Sequence, residues 1–176
     1  MGPTLAIIIL LSVEAVGAAP DYQCWNFKST DEIRYQYLST VNNLRKQIAE
    51  GVADNKQGKC PQGKNIHKLG WDCLLEMEAQ KVVDQCKIDA KAPNVLSMLI
   101  EKVHLTTCNP TSLFKTTVKK AWWDVVTQEG IGSGAIFNNE KLRSFATLAH
   151  GKATRIGCAQ KNCNGDLYMA CMVYEK

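Results

Sequence analysis

The chain has 176 residues, 45% of them hydrophobic and 22% charged, with 8 cysteines and a formal charge of +4. That apolar content supports one packed core and excludes disordered, collagenous and low-complexity classes. The positive charge is weak and scattered, which excludes a nucleic-acid surface built on a basic stripe.

The first element is Leu5 to Val13 (LAIIILLSV), an apolar run too short to span a bilayer, followed by the small residues Gly17-Ala18. It reads as a secretory signal over residues 1–18, and no later stretch has the roughly 20 apolar residues of a membrane helix. Residues 19–176 then form one exported domain. An oxidising destination suits the even number of cysteines, namely Cys24, Cys60, Cys73, Cys86, Cys108, Cys158, Cys163 and Cys171.

Ser29 and Glu32 form a capping-box pair, and Ile33, Tyr37, Val41, Leu44 and Ile48 recur at helical spacing until Gly51. A polar loop, Asn55 to Asn65, follows around Cys60. The spacing predicts a second helix from about Trp71 to Cys86, with Trp71, Leu74, Leu75, Val82 and Cys86 on one side and Glu78 near the middle of that apolar stripe. A carboxylate there needs a partner, a wet cavity or its proton, unless the helix is rotated enough for it to reach solvent.

A third helix is expected over Thr111 to Gln128, with one ring of Trp122-Trp123 turned into the core. It ends at the GIGSG sequence of Gly130 to Gly134, which lacks the Lys-Ser/Thr and preceding strand of a phosphate loop. A short fourth helix starts at Asn139 and stops at Gly151.

Two strands, Thr154 to Gln160 and Leu167 to Tyr174, flank Asn164-Gly165, a type I′ hairpin turn. With that turn, Cys158 lies directly opposite Cys171 in a non-hydrogen-bonded pair, close enough for a disulfide. Spacing does not choose among the 15 ways of joining the other six cysteines.

No zincin, nucleophile-elbow or Walker motif is present, and Cys158 and Cys163 lack zinc-ribbon spacing. His67, His104 and His150 are dispersed. Thiols expected to be paired leave no cysteine nucleophile.

Several segments, in order, resemble the CAP superfamily of cysteine-rich secretory, venom antigen 5 and pathogenesis-related proteins, particularly the Ancylostoma-type secreted proteins of parasitic nematodes. They are Val41-Asn42-Asn43-Leu44-Arg45, Lys68-Leu69 with Trp71-Asp72, Glu78-Ala79-Gln80 up to Cys86, Ala121-Trp122-Trp123, Phe145-Ala146-Thr147, and Ile156-Gly157-Cys158 through Tyr168 to Cys171. The resemblance implies an α+β fold, an α-β-α sandwich around a central antiparallel sheet. It also implies a cavity that in some members carries two histidines and two glutamates and binds a divalent metal.

Glu78 and Glu101 match the glutamates, whereas Val41 and Ser144 stand at the histidine positions. Without imidazoles the set is a poor zinc site, so no metal or other cofactor is expected, and the two carboxylates would share a proton, be bridged by water or lie apart. The expected function is therefore a secreted, non-enzymatic effector binding a host protein through its loops, Asn55 to Asn65 and Lys87 to Asn94, with immune or haemostatic modulation as the outcome. The alternative is a lipid or sterol carrier using apolar faces around Trp122, Val125 and Met98. A metal-dependent hydrolase ranks last for want of a general base.

Overall fold

A computed structural model describes residues 20–93 and 95–175; the expected signal segment, residues 1–18, lies outside them. In chain order the elements are α1 (Asp31–Glu50), β1 (Gly70–Trp71), α2 (Cys73–Val83), β2 (Ser97–His104), α3 (Thr111–Thr116), a π-helical segment (Thr117–Trp123), α4 (Val125–Glu129), a 3-10 turn (Glu140–Leu142), α5 (Arg143–Ala149), β3 (Ala153–Cys163) and β4 (Asp166–Glu175). The sheet order is β1-β3-β4-β2, antiparallel except for the two-residue parallel pairing of β1 with β3.

Strand alternation sorts the side chains into two cores. Leu99, Ile156, Cys158, Met169, Cys171 and Val173 face α1, α3, the π segment and α5. Ala159, Ala170 and Met172 face α2 through Leu75, Ala79, Val82 and Val83. Helices thus cover both faces, giving the α-β-α sandwich.

The N-cap of α1 is Thr30, whose side chain accepts from the Ile33 N–H, so the expected Ser29–Glu32 box is displaced by one residue. Gly51 closes the helix in the left-handed region at φ 71°. Helix α2 is shorter than its periodicity suggests: Trp71 is spent on β1, and Asp72 caps the helix by accepting from the N–H groups of Leu74 and Leu75. Gly157 permits the close approach of α2 to β3, because a Cβ there would lie 2.2 Å from the Glu76 nitrogen and 2.6 Å from the Asp72 oxygen.

The third helix does form, but its middle seven residues wind as a π-helix. The wider turn brings consecutive residues closer in azimuth. Both Trp122 and Trp123 are therefore buried, not one of them as expected.

The β3–β4 register pairs Cys158 with Cys171 and Cys163 with Asp166 around Asn164-Gly165, both at positive φ. Cys158 and Cys171 are bonded, with Cα atoms 4.0 Å apart. Cys24–Cys73 and Cys86–Cys163 are the other two bridges. Cys60 and Cys108 are unpaired, which corrects the expectation that every thiol is oxidised. Cys60 shares a cavity with His150 and Gly151, at the Ala153/Glu175 end of the hairpin, whereas Cys108 lies beside Gly165 at its turn. Ten-residue strands hold those ends about 30 Å apart.

Candidate functional site

The Val-Asn-Asn-Leu-Arg segment of α1 has two side chains that work as backbone clamps. Asn42 donates to the Leu69 carbonyl at 3.1 Å and accepts from the Leu69 N–H at 2.8 Å. Arg45, 1% exposed, donates to the carbonyls of His67 (2.9 Å), Leu148 (2.6 Å) and His150 (2.9 Å), and to that of Ala153 at 3.5 Å. Burial without a carboxylate lowers its pKa to about 10. The bonds to Leu148 and His150 hold the end of α5, where the Leu148 carbonyl has no intrahelical partner and the His150 carbonyl also accepts from the Ala153 N–H.

Val41, at the first position that the resemblance assigns to histidine, is fully buried in the apolar core. Ser144, at the second, donates its hydroxyl to the Trp122 carbonyl at 2.8 Å. Glu101 lies on the same sheet face as Leu99 and Val103, partly buried, and accepts from the N–H of Lys102 at 3.1 Å.

Glu78 does not join them. Helix α2 packs on the opposite face of the sheet, so Glu78 and Glu101 share no cavity. Glu78 is half-buried and bound to Lys81 at 2.6 Å. The helix is rotated from its expected orientation, with Leu75, Ala79, Val82 and Val83 inward.

The buried carboxylate is Glu76, which the periodicity did not single out. Its side chain is fully buried and accepts from Arg34 Nε (2.8 Å), Arg34 Nη2 (2.9 Å) and the Trp71 indole (2.9 Å). Arg34 also reaches Asp31 and the Asn26 carbonyl. The available signal was Arg34 itself, a cation on the inner face of α1 one turn before Tyr37, which needs a carboxylate partner if it is buried.

The histidines remain apart. His104 meets Asp166 at 3.1 Å, His150 meets Glu175 at 3.3 Å, and His67 is exposed. Among the described residues no three His, Cys, Asp or Glu side chains converge. A metal of the kind the resemblance implies does not fit: one of its positions holds a buried isopropyl group and another a hydroxyl committed to a backbone carbonyl.

The expected groove around Trp122, Val125 and Met98 is not formed either. Trp122 and Met98 lie on opposite sides of the sheet. An apolar cavity of about 350 Å³ opens elsewhere, between the end of α1, residues 60–66, residues 131–137 and α5. Ile48, Ile66, Ile131, Phe137 and Phe145 line it, together with the polar side chains of Lys64 and His150. Cys60 also lines it, 4% exposed, donating to the Asp54 carbonyl at 3.2 Å; burial, then Asp54, pushes its thiol pKa up.

The profile of the cysteine-rich secretory protein family, CAP, matches residues 38–174, from the middle of α1 to the last strand. The chain belongs to the CAP family. It is 29% identical over 171 residues to the Ancylostoma secreted protein of Ancylostoma caninum, covering 94% of this chain and 39% of that one. Among solved structures it resembles Na-ASP-1 (TM-score 0.81, 26% identity, 87% of this chain and 39% of that one). It also resembles NaASP2 with Zn2+ (TM-score 0.77, 21% identity, 85% of this chain and 83% of that one). The chain thus spans well under half the length of two of these relatives, and the CAP fold is the part it shares with them. No helix among the described residues is long and apolar enough to cross a membrane.

Proposed function

We propose that this CAP chain is exported and acts as a non-enzymatic effector by binding a host protein, with immune or haemostatic modulation as the outcome. The observation that carries this reading is a pair of aromatic rings held out into solvent: Trp25 is 83% exposed and Phe27 93%. Between them Asn26 turns inward, its amide donating to Gln80 at 3.2 Å and its carbonyl accepting from Arg34. Cys24 ties the same segment to Cys73, beside the exposed Leu74. Large rings on a rigid support lose little entropy on binding and are the side chains that dominate protein interfaces. The altered donor set at Val41 and Ser144 supports a role without metal chemistry.

The test uses oxidised protein immobilised for capture from host plasma and leukocyte membranes, beside a Trp25→Ala/Phe27→Ala variant. A saturable partner is expected on the first and at least tenfold weaker on the second, with thermal stability unchanged because neither ring is packed. Equal capture by both removes this surface from the reading. Stoichiometric zinc binding by calorimetry, abolished in Glu101→Ala, would overturn the metal-free part.

A second reading, carriage of a lipid or sterol, is favoured by the 350 Å³ apolar cavity. Organic extraction and mass spectrometry of the purified protein decide it: a stoichiometric lipid supports carriage, and none excludes it.

A further inference from the structure

Residues 130–138 leave α4 and return to Asn139 with their ends clipped together, since the Asn139 amide donates to Glu129 at 3.2 Å and Lys141 lies 3.4 Å from the same carboxylate. From Gly132 to Asn138 every residue is exposed, although Ala135 and Phe137 line the apolar cavity. Among the described residues, two hydrogen bonds join 131–137 to the rest of the molecule, both made by Asn55. Its amide donates to the Ile131 carbonyl at 2.8 Å and its oxygen accepts from the Ile131 N–H at 2.9 Å. Gly130, at φ 80°, and Ala135, at φ 49°, hold positive φ on either side of Gly132, where an added Cβ would meet nothing within 4 Å.

We infer that residues 130–137 are a latched lid over the apolar cavity, hinged at Gly130 and fastened by Asn55, and that the cavity is reached by opening this loop. A compact loop with joined ends, small residues and one fastening point can move as a unit while the helices behind it stay packed. Because Cys60 lines the cavity behind the lid, its thiol reports opening directly. The inference concerns access and holds whatever molecule enters.

The experiment measures the rate of Cys60 alkylation by N-ethylmaleimide in a Cys108→Ser background, read by mass spectrometry. In the parent protein Cys60 is expected to react far more slowly than in the unfolded chain, at a rate nearly independent of low urea concentrations. Asn55→Ala removes both fastening bonds and is expected to speed labelling roughly ten- to thirtyfold, at two ordinary hydrogen bonds. Gly132→Ala meets nothing within 4 Å and is not at positive φ. It restricts the open loop and should slow labelling roughly two- to fivefold. Since Asn55 neighbours the Cys60 hairpin, this second variant acts through the loop alone. Unchanged rates in both variants, or a labelling rate that rises with urea as steeply as global unfolding, would overturn the lid.

Discussion

Glu76 and Glu78 sit two residues apart on α2 and answer to different physics. Glu76 is fully buried against a nearly buried guanidinium, so removing it strands a charge in low dielectric. Glu76→Ala is expected to cost about 3–5 kcal/mol in urea unfolding. Glu78→Ala should cost less than about 0.5 kcal/mol, because a partly exposed pair with Lys81 contributes little. A comparable loss from both would contradict the rotation of α2 described above. At the same helix start, burial pushes the Asp72 carboxyl up, but the hydrogen bond from Arg155 and the N–H groups of Leu75 and Leu74 outweigh it and hold the pKa below the usual aspartate value. A lowered folded-state value stabilises above roughly pH 4, where the unfolded carboxyl is ionised, and that contribution is lost as pH falls through the folded value. Asp72→Asn is therefore expected to flatten the acid limb of a stability-against-pH curve below pH 4 while lowering stability at neutral pH.

Among the elements, α2 depends on a residue outside itself. Gly157→Ala would drive a methyl group into the first turn of α2, where backbone atoms cannot yield as a flexible side chain would. The expected loss is about 3 kcal/mol or more, checked by urea unfolding. Helix α5 depends on Arg45 in the same way: Arg45→Met takes the guanidinium donors from the carbonyls of His67 and Leu148, leaves the His150 carbonyl its bond from the Ala153 N–H, and should cost about 3 kcal/mol. Helix periodicity and turn chemistry made α1, the 111–128 helix and the β3–β4 hairpin legible from the residues, down to the pairing of Cys158 with Cys171. Those features are local: a cap, a stripe, a two-residue turn. The candidate site was less legible because its parts come from segments far apart in the chain. Whether Glu76 or Glu78 turns inward is decided by where β3 lets α2 settle, through Gly157, and no periodicity within α2 reports that. The apolar cavity likewise joins residues 60–66 to residues 131–151, a proximity with no short-range signal, and the π winding that buries both tryptophans is set by packing.

For the molecule as a whole, the bridges leave two thiols in different chemical settings. Titration with a thiol reagent in denaturant should find two thiols per chain, one reacting fast without denaturant (Cys108, exposed) and one slowly (Cys60, buried). Four bridges and no thiol would show that Cys60 and Cys108 join after all, against the length of the hairpin between them.

The strand order carries a further consequence for how the chain is made. β4 is the last described element, yet it sits between β3 and β2 and completes both halves of the sheet. As the polypeptide emerges from its N-terminus, α1, α2 and β2 appear long before anything can pair with β2. Cys24 and Cys73 can join at that stage, whereas Cys86 must wait for Cys163, 77 residues later. The nascent molecule is therefore open, with Cys24–Cys73 the one of its three bridges that can form before the β3–β4 hairpin is made, until β4 arrives to pair with both β3 and β2.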